Sequence, residues 1–345
     1  MKITKILVAL SFLFAVSTAQ AGEMTVTGSM KATYQSEQDR TSGNPLGMDR
    51  EIKFAGSTEL DNGITMSVMQ DFNDAGAFGD AKLTFGNVMG MVDIYVGTDG
   101  SELDAIDDIT PTAFEEANGA GSGTYQDVGT LAAEMGIGFK TTLPIIGTVS
   151  GQYVPKVDGA ENADGTASGD TNAATGSGEE LVIKTSLGDL PAVGSFLDGN
   201  TLTLGYANDE VNTIANTTDG LELTVALTGS YGNFSYGYQK KHIDNGQNAA
   251  SNPATTDAIF YGQDIIGIAY AVNDALSVSY NIIEESKHDN TDADIGTYKQ
   301  ETDALNIGYT VGGITLGFQE ASTDNANYTL NSEDDTRTIG VSVAF

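Results

Sequence analysis

The chain has 345 residues, 15 of them Lys or Arg and 48 Asp or Glu, for a formal net charge of −33. That balance excludes a nucleic-acid binder, which needs a basic face to displace counterions from phosphates. The lack of cysteine excludes disulfide frameworks, thiol nucleophiles and Cys-ligated metals, while 40% hydrophobic residues with 42 Gly and 6 Pro suit a folded, turn-rich chain.

Residues 1–21 read as a cleaved secretory signal peptide. Lys2 and Lys5 give a positive start, Ile6 to Val16 an apolar core, and Ala19-Gln20-Ala21 the small-x-small form of a cleavage site. The core is too short to cross roughly 30 Å of hydrocarbon, which takes about 20 helical residues. No later stretch is long and apolar enough for a spanning helix, so any membrane role must use strands. Residues 22–345 are then expected to form one domain.

From residue 24 onward the pattern has period two. Val26, Gly28, Met30, Ala32 and Tyr34 alternate with Thr25, Thr27, Ser29, Lys31 and Thr33, which gives a strand with one apolar and one polar face. Ile52, Phe54 and Leu60 continue it, then Asp61-Asn62-Gly63 makes a hairpin turn before Ile64, Met66, Val68 and Phe72. Further strands follow at Leu83/Phe85, Val92/Val96, Ile137/Phe139, Val149/Tyr153, Leu181/Leu187, Leu202/Tyr206, Leu221/Leu227, Phe234/Tyr238, Ile266/Tyr270, Leu276/Ile282, Leu305/Tyr309, Ile314/Phe318 and Ile339/Phe345. The total is about 16 strands, expected to be eight to eleven residues long, and an even number lets an antiparallel sheet close.

The connections alternate in length. Short ones near 61–63, 87–90, 144–147, 230–233, 273–274 and 312–313 alternate with long ones over 35–50, 73–81, 98–134, 155–178, 207–219, 239–258, 283–301 and 319–335, with 188–200 the one long exception on the short side. A transmembrane antiparallel barrel has short periplasmic turns and long external loops, whereas a soluble sandwich need not segregate them. The fold class expected is all-β, a closed transmembrane barrel.

By parity, Lys31, Lys53, Lys82, Lys140 and Lys184 point into the lumen, because Met30, Phe54, Leu83, Phe139 and Ile183 beside them face lipid. The longest connection, 98–134, carries Asp99, Glu102, Asp104, Asp107, Asp108, Glu115, Glu116, Asp127 and Glu134 and no Lys or Arg. Ser101 with Asp104 is placed to cap a short helix there, turning Leu103 and Ile106 inward.

Several segments together resemble the general diffusion porins of Gram-negative outer membranes, a trimeric family of proteobacteria. They are Met24-Thr25-Val26-Thr27-Gly28, Ala81-Lys82-Leu83-Thr84-Phe85-Gly86-Asn87, Phe139-Lys140-Thr141-Thr142-Leu143-Pro144 with Gly151-Gln152-Tyr153, and the last strand Thr338 to Phe345. The resemblance implies an outer-membrane channel for passive diffusion of small hydrophilic solutes and ions, assembled as a homotrimer in outer-membrane lipid, without cofactor or metal. It implies that Phe345 is read by the barrel-assembly machinery. It also implies that the third external loop folds inward, so that Glu102, Asp104, Asp107, Asp108, Glu115 and Glu116 line a constriction facing a basic wall of Lys31, Lys53, Lys82 and Lys140. With the acidic charge, the channel is expected to prefer cations. The chain departs from the family at Thr112-Ala113-Phe114-Glu115-Glu116, which only echoes a Pro-Glu-Phe-Gly-Gly stretch. It also lacks Trp, so interface girdles fall to residues such as Tyr34, Phe72, Phe139, Tyr153 and Tyr309.

Catalytic motifs are sparse. The two histidines, His242 and His288, have no spaced metal partner, and neither a Gly-x-Ser-x-Gly elbow nor a phosphate-binding loop occurs. The acid-rich run Asp289 to Asp294 lacks the glycine and terminal glutamate of a calcium loop. Two other classes stay open from sequence: an outer-membrane barrel enzyme with His242 as its base, and an acidic surface β protein or adhesin.

Overall fold

The computed structural model describes residues 23–37, 43–72, 78–98, 102–117, 124–129, 135–155, 175–191, 194, 196–211, 219–244, 258–289 and 299–345. The leader over 1–21 lies outside the described residues, as do Asp99, Ser101, Glu134 and positions 290–298.

Sixteen strands form one closed antiparallel barrel in which each pairs with its chain neighbours. They are β1 (Glu23–Glu37), β2 (Leu46–Glu59), β3 (Thr65–Phe72), β4 (Phe78–Val88), β5 (Val92–Gly97), β6 (Gly136–Leu143), β7 (Gly147–Val154) and β8 (Thr175–Ser186). The second half comprises β9 (Asn200–Val211), β10 (Leu221–Tyr231), β11 (Phe234–Asp244), β12 (Ala258–Ala271), β13 (Leu276–Asp289), β14 (Lys299–Val311), β15 (Ile314–Asp324) and β16 (Glu333–Ala344). Closure is made by β1 on β16, with Met30 opposite Val343 and Tyr34 opposite Ile339. At the seam's lower end the Phe345 N–H donates to the Gly28 carbonyl and the Gly28 N–H to the Phe345 carbonyl, both at 3.0 Å.

The barrel is apolar outside and polar inside. Val26, Met30, Leu204, Leu223, Val225, Ile266, Ile268, Leu305, Leu316 and Ile339 are exposed on the outer wall, while Thr224, Gln239, Gln263, Asn281, Asn306 and Gln319, of opposite parity, are buried on the inner one. In water each large apolar side chain so exposed would forgo about 1.5–3 kcal/mol of burial. A lipid surrounding removes that cost. The expected girdle residues Tyr34, Phe139, Tyr153 and Tyr309 are exposed on this wall, and Phe72 packs edge-on against Phe54.

Strand lengths range from six residues in β5 to fifteen in β1, wider than the eight to eleven expected. The alternation that marks a strand in sequence stops where the outer wall leaves hydrocarbon. Above it the outward residues are charged and the strands simply continue. Lys240–Asp264 at 2.7 Å, Lys299–Glu284 at 2.5 Å and Arg337–Glu320 at 2.5 Å are outward pairs of this kind.

These two zones should differ in energetics. Ile268→Lys, which puts a charge in the apolar band, should lower the free energy of unfolding from bilayers by about 2–4 kcal/mol. Lys240→Ala, which breaks an exposed pair, should cost less than about 1 kcal/mol. Urea titration of the two variants in the same lipid checks this.

Candidate functional site

The described residues of the segment between β5 and β6, 102–117 and 124–129, lie against the inside of the barrel wall. The segment enters with the Glu102 N–H donating to Glu180 Oε1 at 2.7 Å and the Leu103 N–H to Glu180 Oε2 at 3.3 Å, on β8. A single 3-10 turn, Asp104–Ile106, follows, with Leu103 at its N-cap and no side-chain cap bond among the described residues; the expected capping residue Ser101 lies outside them. Leu103 and Ile106 do turn inward, fully buried with Val128 against Val182, Ala207 and Ile243 of the wall.

The loop then crosses the strands one after another. The Ile109 N–H donates to Gln239 Oε1 at 3.0 Å, and Gln239 Nε2 donates to the carbonyls of Ile106 and Asp107 at 2.8 and 3.0 Å. On β13, Asn281 Nδ2 reaches the Pro111 carbonyl at 3.1 Å and Ser279 Oγ accepts from the Ala113 N–H at 2.9 Å. Asn306 and Gln319 hold the next residues, through the Glu115 N–H and the Glu115 and Glu116 carbonyls. At the tip, Glu115 Oε1 lies 3.0 Å from Lys31 Nζ on β1.

A row of glycines makes room for this path. A Cβ at Gly237 would come within 2.9 Å of Pro111 Cδ, one at Gly267 within 2.8 Å of Thr110 Cβ, one at Gly308 would overlap the Ala113 carbonyl oxygen, and ones at Gly317 and Gly340 would meet the Phe114 ring. Gly237 pairs directly with Gly267, and Gly317 with both Gly308 and Gly340, so the row runs across the strands. Here glycine serves close approach of another backbone.

The return arm lies against the same wall. The Tyr125 hydroxyl and Thr302 Oγ1 are 2.7 Å apart, the Gln126 N–H donates to Glu285 Oε2 at 3.0 Å, and the Gly129 N–H to Glu222 Oε2 at 2.6 Å. Glu285 also accepts from Gln263 at 2.9 Å and from the Tyr328 hydroxyl, so one buried carboxylate ties the loop to the external connection between β15 and β16.

The acidic residues fall into distinct surroundings. Glu102 and Asp107 are half-buried, and Asp104 is exposed, with its carboxyl raised by partial burial first and then by Asp107 and Asp127. Asp108 is buried and accepts from Thr110 through N–H and hydroxyl at 2.8 and 2.7 Å; burial pushes its carboxyl up against those bonds and against Lys241. Glu116 is pushed up to about 7, by burial first and then by Asp107, Asp108 and Asp127, with Lys241 opposing.

The expected basic residues do not all face this loop. Lys31 does. Lys53 lies 3.4 Å from Glu51 on its own strand, and Lys82 lies over the Tyr95 ring at 4.3 Å. Lys140 sits opposite Asp93, close to the short-turn end. The cation against the acid group is Lys241, fully buried and 3.1 Å from Asp127. The parity that placed the other lysines would have found it. His242, the candidate base of an enzyme, has its ring 4.8 Å from Phe260, which stacks at 4.1 Å on His288.

Sixteen antiparallel strands closed around an inward loop, apolar outside, define a β-barrel of the porin architecture. Solved structures agree. A porin structure matches with a TM-score of 0.64 and 14% identity over 94% of this chain and 100% of its own. A variant of the Rhodopseudomonas blastica porin matches at 0.60 and 15% over the same shares. OmpT, an outer membrane protein of Vibrio cholerae, matches at 0.65 and 13% over 96% and 99%. At such identities the likeness is one of fold. No family model matches the sequence, nor does any curated protein.

The glycine row yields a test. Gly308→Val should drive the loop off the wall, so that hydrogen exchange at the Ala113 and Glu115 amides becomes many-fold faster. Gly262→Ala, whose Cβ would meet only Ser286 Oγ at 3.4 Å, should leave both unchanged.

Proposed function

We propose that the mature chain, released from its leader at residue 21, is a porin: a water-filled channel for passive diffusion of small hydrophilic solutes and ions, preferring cations. The observation that carries this reading is the acidic loop seated across the inside of a closed barrel. Glu102, Asp104, Asp107, Asp108, Glu115 and Glu116 form the constriction. Glu115 is offset by Lys31 and Asp127 by Lys241, but the loop itself carries no Lys or Arg, so acid outweighs base along it and the net field in the aqueous path is negative. Lys53 and Lys82 on the opposite wall give that field a direction, which orients dipolar solutes and disfavours apolar ones. Lys140 contributes at the mouth. Phe345, hydrogen-bonded at the seam, is the signal read by the barrel-assembly machinery, and the working form is a homotrimer in outer-membrane lipid.

Converting the six constriction acids to Asn or Gln should sharply lower the cation/anion permeability ratio with little change in pore width. Neutralising Asp289, Asp292, Asp294, Asp324, Glu333 and Asp335, which the sequence assigns to other long connections, changes total charge equally; on exposed loops water and salt screen charge within about 8 Å. That control should matter much less, chiefly at low salt. Equal effects from the two sets, measured as reversal potentials in one salt gradient, would remove the loop from the selectivity mechanism.

Glu116 adds a pH dependence. Its carboxyl is raised to about 7, so it is neutral on the acid side and charged above. Cation preference should therefore rise with pH through about 7, and Glu116→Gln should flatten that step while matching the parent protein well below it. The sign for stability is the reverse: a raised carboxyl favours the folded state most below its ordinary value of 4.5, and this is lost as pH climbs to about 7.

A further inference from the structure

Seven turns join strands at the end of the barrel where Phe345 lies. Four have polar or glycine tips: Asn62-Gly63, Gly232-Asn233, Asn273-Asp274 and Gly312-Gly313. The other three, consecutive from β4 to β9, do not. Their tips carry Met89 and Met91, Ile145 and Ile146, and Phe196, exposed by 92, 63, 55, 48 and 88%.

Backbone conformation does not account for these side chains. Met89 has φ 56° and Ile145 φ 73°, the left-handed region that favours Gly, Asn or Asp and is a marked outlier for a β-branched residue. Each position thus combines strain with an apolar side chain that no described residue covers. The turns are also fastened to one another's strands. Thr141 Oγ1 on β6 donates to the Met91 carbonyl at 2.8 Å, and Thr185 Oγ1 on β8 to the Ile146 carbonyl at 2.6 Å, which ties the first tip to the second hairpin and the second tip to the third.

Strand length identifies what covers the patch. At about 3.3 Å per residue and a tilt near 40°, the six-residue β5 rises only about 15 Å and the eight-residue β6 and β7 about 20 Å. An apolar band is about 25 Å tall. On β5 to β7 the band therefore continues into the turns, and on β6 outward Ile137, Phe139 and Leu143, with Thr141 among them, lead to Ile145; β8 and β9, twelve residues each, need no such extension, and the third tip joins the patch through the exposure of Phe196 alone. No charged residue interrupts 88–91 or 144–147.

We propose that these three tips are seated in the phospholipid of the inner leaflet, so that the membrane surface dips along β4 to β9 and the barrel is anchored there by its turns. The proposal rests on the outer-membrane reading above, with short turns on the periplasmic side. Mismatch is relieved by moving lipid to the turns rather than by lengthening the strands.

The chain has no Trp, so a single Trp reports one place. Met89→Trp, Ile145→Trp and Phe196→Trp would each be refolded into phosphatidylcholine vesicles, with and without acyl chains brominated near the headgroup. Leu316→Trp on the apolar wall and Asp274→Trp on a polar tip serve as references. Blue-shifted emission and loss of most intensity to brominated lipid at the three tips, with Asp274→Trp remaining open to aqueous iodide, is the expected result. Quenching of the tips by iodide instead overturns the proposal. Protection from both quenchers also overturns it, because a protein, a second copy included, then covers the patch. If Leu316→Trp escapes the brominated lipid, the membrane reading itself fails; if only the tips escape it, this inference alone does.

Discussion

In hydrocarbon a backbone N–H or C=O finds no partner except another strand, and leaving it unpaired costs several kcal/mol. Everything else in this molecule follows from that constraint. The sheet has to close, β1 on β16, so that no strand edge is left facing lipid. Closure puts one parity of every strand outside and the other inside, and it encloses a polar surface that would otherwise be a solvated face. Once Gln239, Gln263, Asn281, Asn306 and Gln319 are confined there, they need partners, and the inward loop provides them from its own backbone.

The loop is held by hydrogen bonds more than by apolar burial. Its two apolar anchors are small: Leu103, Ile106 and Val128 at one end, Ala117 and Tyr125 at the other. Between them, carboxylates of the wall accept from loop amides, at Glu180, Glu222 and Glu285. Acid on the wall therefore secures an acidic loop. The charges do not collide, because wall carboxylates meet N–H groups while the loop's own carboxylates meet Lys31, Lys241 and the Thr110 hydroxyl at Glu115, Asp127 and Asp108. Desolvation, with mutual repulsion behind it, is what raises Glu116 and Asp104.

The sixteen strands were legible because a bilayer demands strict alternation, and residues such as Leu223/Val225/Leu227 obey it over the apolar band. Strand ends were not, since beyond the band Lys240 or Arg337 can face outward and parity loses its contrast. The identity of the inward segment was legible from its length and order once the porin resemblance marked the third external loop as the one that folds inward. Its path was not: Gly237, Gly267, Gly308, Gly317 and Gly340 look in sequence like ordinary strand glycines, and only their shared register reveals a row. Lys241 went unread because it sits among aromatic and polar neighbours on β11, and its role appears only when Asp127 arrives from 114 residues away.

The glycine row has a consequence for how such a channel could change over time or by design. Loops on barrels are usually treated as interchangeable parts that can be lengthened or grafted without regard to the scaffold. This one is not a separable part. Its bed is cut into five strands far from it in the chain, so a graft into another barrel would meet a Cβ at each step, and an incoming loop here would lie over a trench with nothing to fill it. Loop and wall must be inherited together, and a single alanine in the trench does the work of a loop mutation without touching the loop.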